Sequence, residues 1–328
     1  MKLTNKKKQH YVPQMIQRRF SNDGKRVSVW DIRNRRLYEN VPIRGQLQEK
    51  YFYERTEDGF EKALESLEDI AKPLFDEIEE SQRIPPKDSD DWILLILWVV
   101  VQVQRTDVLA NPINKFSQDM IRKVAQFLEA EGQIPGGPDG LGMADIGIKV
   151  DPKWGRQNAV AVAFETAQVA ADLHAGILHS KDGKVILPDC GAVRFNMIAE
   201  EGGLPWGWAS IGTGALLPLS NKNAVVFYDP ASYTWMDNGM EVIKVMGEAE
   251  QISLTETLLL RSSNRVVLNT DPEWIVKVDT DLHVKCARSG TPAISIPGLI
   301  PHPPLMKLAH EAQSRLFGPP PRPTSKIG

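Results

Sequence analysis

His10, Gln102 and Arg105 are the residues whose types and setting fit acid–base or anion-binding chemistry. A histidine titrates near neutral pH and serves as acid or base. Gln102 and Arg105 lie three apart at the polar end of the apolar run Trp92 to Val101, so a helix places them on one face. Together they form a candidate catalytic set, with His10 moving a proton while Gln102 and Arg105 bind an acidic group. The alternative is structural. Buried polar groups need partners, and Arg105 then locks onto an acid of the preceding helix such as Asp76 or Glu77. A shared cleft requires His10 within about 15 Å of Arg105, since proton transfer needs hydrogen-bond reach.

A second set is basic. Lys6, Lys7, Lys8, Arg18 and Arg19 flank His10-Tyr11-Val12-Pro13-Gln14. Val12 precedes a proline and is therefore extended, and Pro13 suits the first position of a helix through Phe20. First-turn amides beside lysines and arginines make a phosphate site, with Tyr11 and Phe20 as stacking faces or anchors. The plainer reading is a solvated basic arm with a structural histidine.

Other arrangements carry less. His174 and His179 are five apart, too far round a helix to clamp one metal, and Glu165, Asp172 and His179 repeat too widely along one for a triad. The glycine-rich Gly202 to Trp208 lacks the lysine of a phosphate loop. Ser220 with Asp189 lacks a nucleophile elbow, so a serine hydrolase is rejected. Cys190 and Cys286 form neither a disulfide framework nor a zinc spacing, and they read as reduced cytosolic thiols. No metal site is expected, and the cofactor is unknown from the residues.

These residues need elements to hold them. Val27 to Ile32 alternates as a half-buried strand and pairs back through Asn34-Arg35-Arg36 onto Leu37 to Ile43 as a hairpin. Phe60 to Ile78 has helical spacing, with Pro73 as a candidate kink. Ser89 with Asp90 and Asp91 starts a helix expected to reach about Ala110, and another covers roughly Asn114 to Ala130. Gln157 to His179 reads as one helix. Short β-rich runs follow at Val185 to Leu187, Ala215 to Leu219, Ala224 to Tyr228, Trp274 to Val278 and His283 to Cys286, with a helix at Leu254 to Val267 between them. Nine of the 23 prolines lie beyond Gly290, around a short amphipathic pattern from Leu305 to Leu316. The fold class is α+β. A basic N-terminal hairpin and helical unit spans 1–131, a helix with a β-rich unit spans 141–289, and a proline-rich tail spans 290–328. The break between the units is the glycine- and proline-rich stretch Gly132 to Gly142.

Several of these segments resemble one bacterial family. Gln9-His10-Tyr11-Val12-Pro13-Gln14, four residues, then Arg19-Phe20-Ser21 is similar to the opening motif of domain-of-unknown-function family 4238. Val29-Trp30-Asp31 resembles its first strand, Glu49-Lys50-Tyr51-Phe52-Tyr53 its next segment, Gln102 to Thr106 a helix end and Pro218-Leu219-Ser220 a later strand. A serine-aspartate-asparagine-proline turn of the family corresponds to Pro188-Asp189-Cys190-Gly191, where Asp189 matches. The resemblance implies an architecture without a reaction, and its association with mobile-element or phage-defence genes implies a nucleic-acid-related role.

Charge distribution frames the partners. The 328 residues carry a net charge of -3, yet Lys2 to Arg36 holds eleven cations against Asp23 and Asp31. Glu49 to Asp91 holds fifteen acids against six bases. A basic end on an acidic body faces a polyanion or docks on its own acidic surface. The expected function is therefore nucleic-acid interaction through the basic segment, in a defence-effector or hydrolase setting. The alternative is a non-enzymatic protein-interaction or regulatory module. The Trp92 to Val101 run is about half the length needed to cross a bilayer, so a cytoplasmic protein without membrane contact is expected.

Overall fold

The protein is described by a computed structural model over residues 8–53, 59–133, 142, 149–201, 207–235, 243–262, 265–268 and 272–302. Its centre is a helix that is apolar almost all round. Helix α3 (Asp90–Gln104) starts where Ser89 Oγ accepts the Trp92 amide at 3.1 Å. From Trp92 to Gln104 nearly every side chain is buried, which requires cover on all sides. Helices α2 (Phe60–Ser81), α4 (Asp107–Ala130) and α5 (Pro152–Thr166) supply it, together with a 3₁₀ turn at Ala167–Ala170. Phe75 of α2 meets Trp98 edge-on at 4.8 Å. Helix α2 continues through Pro73.

The strands lie around this bundle, so the fold is α+β. Strand β1 (Lys8–His10) and helix α1 (Gln14–Arg18) precede the hairpin of β2 (Arg26–Asp31) and β3 (Arg36–Pro42). Strand β4 (Gln48–Lys50) returns antiparallel to β1. After α5 come β5 (His174–His179), β6 (Leu187–Pro188), β7 (Val193–Phe195), the short helix α6 (Met197–Glu201), β8 (Gly214–Pro218), β9 (Asn223–Tyr228), β10 (Tyr233–Trp235) and β11 (Ile243–Val245). Helix α7 (Glu248–Arg261), β12 (Arg265–Leu268), α8 (Pro272–Ser289) and β13 (Leu299–Pro301) follow. One sheet has the order β11-β5-β9-β8-β7, parallel only at β11–β5. The other runs β3-β2-β12-β6, so the N-terminal hairpin shares a sheet with strands from the far side of the chain.

Four expectations are corrected. Helix α3 stops at Gln104 because the Arg105 carbonyl accepts the Tyr53 hydroxyl at 3.1 Å and Thr106 is extended, which opens α4 at Asp107. The helix expected over Gln157 to His179 ends at Thr166. His174–His179 is a strand, drawn out by pairing with β9, so tertiary contact overrides an alanine-rich local preference. His174 and His179 consequently share no helix, and neither do Glu165, Asp172 and His179. The runs Trp274 to Val278 and His283 to Cys286 belong to α8, where buried Trp274, Ile275, Val278 and Leu282 have helical spacing. The helix expected over Leu254 to Val267 ends at Arg261, and β12 follows. The Leu305 to Leu316 pattern, the remainder of the tail beyond His302 and most of Gly132 to Gly142 lie outside the described residues.

Candidate functional site

Strand alternation explains how the first motif splits its side chains. On β1, Gln9 points inward and is fully buried, while Lys8 is exposed and His10 is half-buried. Gln9 Oε1 accepts the Tyr53 amide at 2.7 Å. Pro13 then starts a helix of only five residues, whose Ile16 and Gln17 amides close onto the Pro13 carbonyl. Val12, Ile16 and Phe20 are buried, and Gln17 Nε2 donates to the Val12 carbonyl at 2.8 Å. The motif is thus an anchor first, with local hydrogen bonds replacing what the short helix cannot supply.

Beneath it sits Arg105, only 3% exposed. Its Nε donates to Tyr53 Oη, Nη1 to Glu68 Oε1 and Nη2 to the His10 carbonyl, each at 2.9 Å. Gln102 Oε1 accepts from Nη1 at 3.5 Å, and Gln102 Nε2 donates to the carbonyls of Tyr11 and Cys190 at 3.0 Å. Burial works against charge on Arg105, but Tyr53 and Glu68 outweigh it and hold the guanidinium above its ordinary pKa. Burial pushes the Tyr53 phenol up to about 12, against the pull of Arg105, so it is a neutral donor at physiological pH. One rigid fork ties α3, α2, β1 and the segment after β4 together.

The structure brings His10, Gln102 and Arg105 into one hydrogen-bonded neighbourhood. It commits the side chains of Gln102 and Arg105 to protein partners. The acid facing Arg105 is Glu68, more than two turns before the residues favoured from sequence. Asp76 instead takes Arg19, whose Nη2 is ion-paired with it and whose Nη1 donates to the Phe75 carbonyl at 3.4 Å. Tyr53, Glu68 and Gln9 are the members that sequence reasoning missed. Tyr53 lies inside the Glu49 to Tyr53 segment that resembled the family, which was its available signal. Glu68 had none, because its role depends on the register of α2 against α3.

Above the buried fork, two adjoining cavities of about 540 and 490 Å³ form one groove. They share Gln14, Glu65 and Glu68. Lys8, His10, Arg18, Arg19 and Arg44 line it from the N-terminal segment. Glu61, Glu65, Glu68, Asp69 and Asp76 line it from α2, with Lys72 the cation of that wall. Lys8, Arg18 and Arg19 of the basic set thus meet in the groove, while Lys6 and Lys7 lie outside the described residues. Burial raises the Asp76 carboxyl, but bonds from Lys72 and Arg19 outweigh it and leave its pKa below the ordinary value. A carboxyl depressed in the folded state stabilises at neutral pH, and that contribution is lost as pH falls through its folded pKa. Asp76→Asn is therefore expected to lower the melting temperature at pH 7 and to flatten the loss below about pH 4. Thermal melts across pH check this, and identical curves for variant and parent refute it.

Away from the groove, Ser220 Oγ donates to Glu79 Oε1 at 2.7 Å and accepts the Lys222 and Asn223 amides at 3.1 Å. It pins the β8–β9 turn onto α2. Asp189 has a separate partner, accepting the Arg265 amide at 3.2 Å. Both cysteines are free thiols, and burial beside Asp189 raises the Cys190 thiol far from reactivity. Among the described residues, no group of three or more His, Cys, Asp or Glu side chains is placed to hold a metal ion, and no helix is long and apolar enough to cross a membrane.

The sequence profile of a protein family of unknown function, DUF4238, matches residues 8–273, from the anchored Lys8 strand to the start of α8. The chain belongs to this family. No curated protein and no solved structure matches it. Membership in DUF4238 covers the opening motif, the Tyr53 segment, the Gln102 to Thr106 helix end and the Ser220 turn, all of which the structure turns inward as hydrogen-bonded joints.

Proposed function

We propose that this DUF4238 protein is a non-enzymatic interaction module whose basic N-terminal segment is held on the acidic helix α2. One observation carries the reading: Arg19 forks onto Asp76 and the Phe75 carbonyl, closing one end of a groove with oppositely charged walls. Besides Glu68 and Asp76, which are paired with Arg105 and with Arg19 and Lys72, a phosphodiester chain entering that groove meets Glu61, Glu65 and Asp69 of α2, which oppose it. A protein segment carrying both signs of charge suits it better, with cations toward the acidic α2 wall at Asp69 and an anionic group toward Lys8, Arg18 and Arg44. A cytoplasmic setting is part of the same proposal.

Nucleic-acid interaction is the second reading, favoured by the exposed Lys25, Arg26, Arg33 and Arg36 of the β2–β3 hairpin. Its defence-effector and hydrolase forms rest on the family resemblance alone.

Two measurements separate the readings. Deleting residues 1–9 removes Gln9 and most of β1, so docking requires a lower melting temperature; an unchanged melt refutes it. Anisotropy titrations with RNA and DNA oligonucleotides, at rising salt, are expected to show no binding at about 150 mM. Binding that weakens steeply with salt and disappears in Arg33→Ala/Arg36→Ala decides for the second reading.

A further inference from the structure

Helix α4 turns an apolar stripe outward. Phe116 is 66% exposed, Met120 46%, Val124 50% and Phe127 61%, and Ile113 is partly buried in line with them. The opposite face, with Asn114 and Ala125 buried, packs toward α5 and α3. At 3.6 residues per turn, positions 113, 116, 120, 124 and 127 fall within one third of the helix circumference. Their spacing reads the same in both directions from Met120: four residues to Phe116 or Val124, seven to Ile113 or Phe127. A stripe with that symmetry complements a copy of itself running antiparallel, as a two-fold interface requires.

We infer that this face of α4 is a homodimer interface, with Met120 on the two-fold axis. In that register Phe116 of one copy meets Val124 of the other, and Ile113 meets Phe127. Asp119 and Lys123 flank the stripe on one side, so each Asp119 lies nearly opposite the second copy's Lys123, and the pairing forms twice. Asp119 is half exposed, and among the described residues its ion pair is with Arg122 at 3.5 Å within its own helix. The area fits a modest dimer. Large apolar side chains present about 150–250 Å² each when fully exposed. Half to two thirds of that from each exposed member, with the stem of Lys123, comes to on the order of 1,000 Å² over two copies, the lower bound of a specific interface.

The test is sedimentation of the full chain up to about 100 µM, together with cysteine pairing in a Cys286→Ser background. Dimers dissociating in the micromolar range are expected. Phe116→Glu should make the protein monomeric without changing its circular dichroism. Met120→Cys should form a disulfide-linked dimer on mild oxidation, because disulfides need Cα atoms within about 7 Å. Phe127→Cys should not, since an antiparallel register places the two copies of residue 127 about 20 Å apart along the axis. A monomer at the highest concentration overturns the inference, even if it adsorbs to anionic vesicles through this face. So does a dimer indifferent to Phe116→Glu, or one in which Phe127→Cys pairs as fast as Met120→Cys.

Discussion

Replacing Arg105 with leucine is expected to lower the unfolding free energy by about 3–5 kcal/mol, the usual effect of removing one member of a buried ion pair. The variant strands the Glu68 carboxylate and the His10 carbonyl in a region the guanidinium had filled, and leaves the Tyr53 hydroxyl with its bond to the residue 105 carbonyl alone. Arg105→Lys should recover less than half of the loss. A lysine restores the charge, but a single ammonium on a flexible stem does not reach three acceptors set by a planar fork. Urea denaturation with Glu68→Gln as the companion variant checks the assignment. The two side chains are each other's partners, so the double variant should fall short of the sum of the singles. A change below about 1 kcal/mol in Arg105→Leu contradicts the structural role and returns the side chain to the list of ligand binders.

The second large effect is expected at Gly191, which has φ +74. A Cβ there would lie 2.5 Å from Gln102 Nε2 and 2.9 Å from its Cδ. Gln102 is 1% exposed and bonded to two carbonyls from different segments, so it cannot swing away. Gly191→Ala therefore combines backbone strain of order 1–3 kcal/mol with loss of buried hydrogen bonds worth about as much. Gly24→Ala is the control. Gly24 has φ +67 with nothing within 4 Å of an added Cβ, so it reports the backbone part alone. The contact with Gln102 is confirmed if Gly191→Ala is the more destabilising in denaturant melts, and refuted if the two are equal.

How far the residues could be read follows from the range of their contacts. Pro13, Ser89 and the hairpin between Val27 and Ile43 act through neighbours a few positions away, and sequence placed them well. Gln102 and Arg105 could be assigned to one face, because helical spacing alone decides that. Glu68 could not, since several acids of α2 were available and the packing of α2 on α3 chooses among them. The β5 strand was hidden for a related reason: no glycine or proline punctuates Ala167 to Leu173, and its conversion to strand depends on β9, more than forty residues on. In α8, Trp274-Ile275-Val276-Lys277-Val278 is rich in strand-forming types, yet the pattern of buried positions is helical. The groove was legible as charge, in a basic segment and an acidic one, but not as a meeting of the two at α1 and α2.

The position of β12 between β2 and β6 has a consequence for synthesis. Once translated, β2 can pair with β3 on one side, but its other edge waits for residues 265–268, roughly 230 residues later. At about 5–20 residues per second that delay is on the order of 10–50 s. During it, buried Val29 and Trp30 belong to an edge strand, a template for pairing with the wrong chain. The arginines at the hairpin turn, Arg33, Arg35 and Arg36, place repulsive charge beside that open edge. Like charge at that turn opposes the pairing of one open hairpin edge with another until the last strand of the sheet arrives.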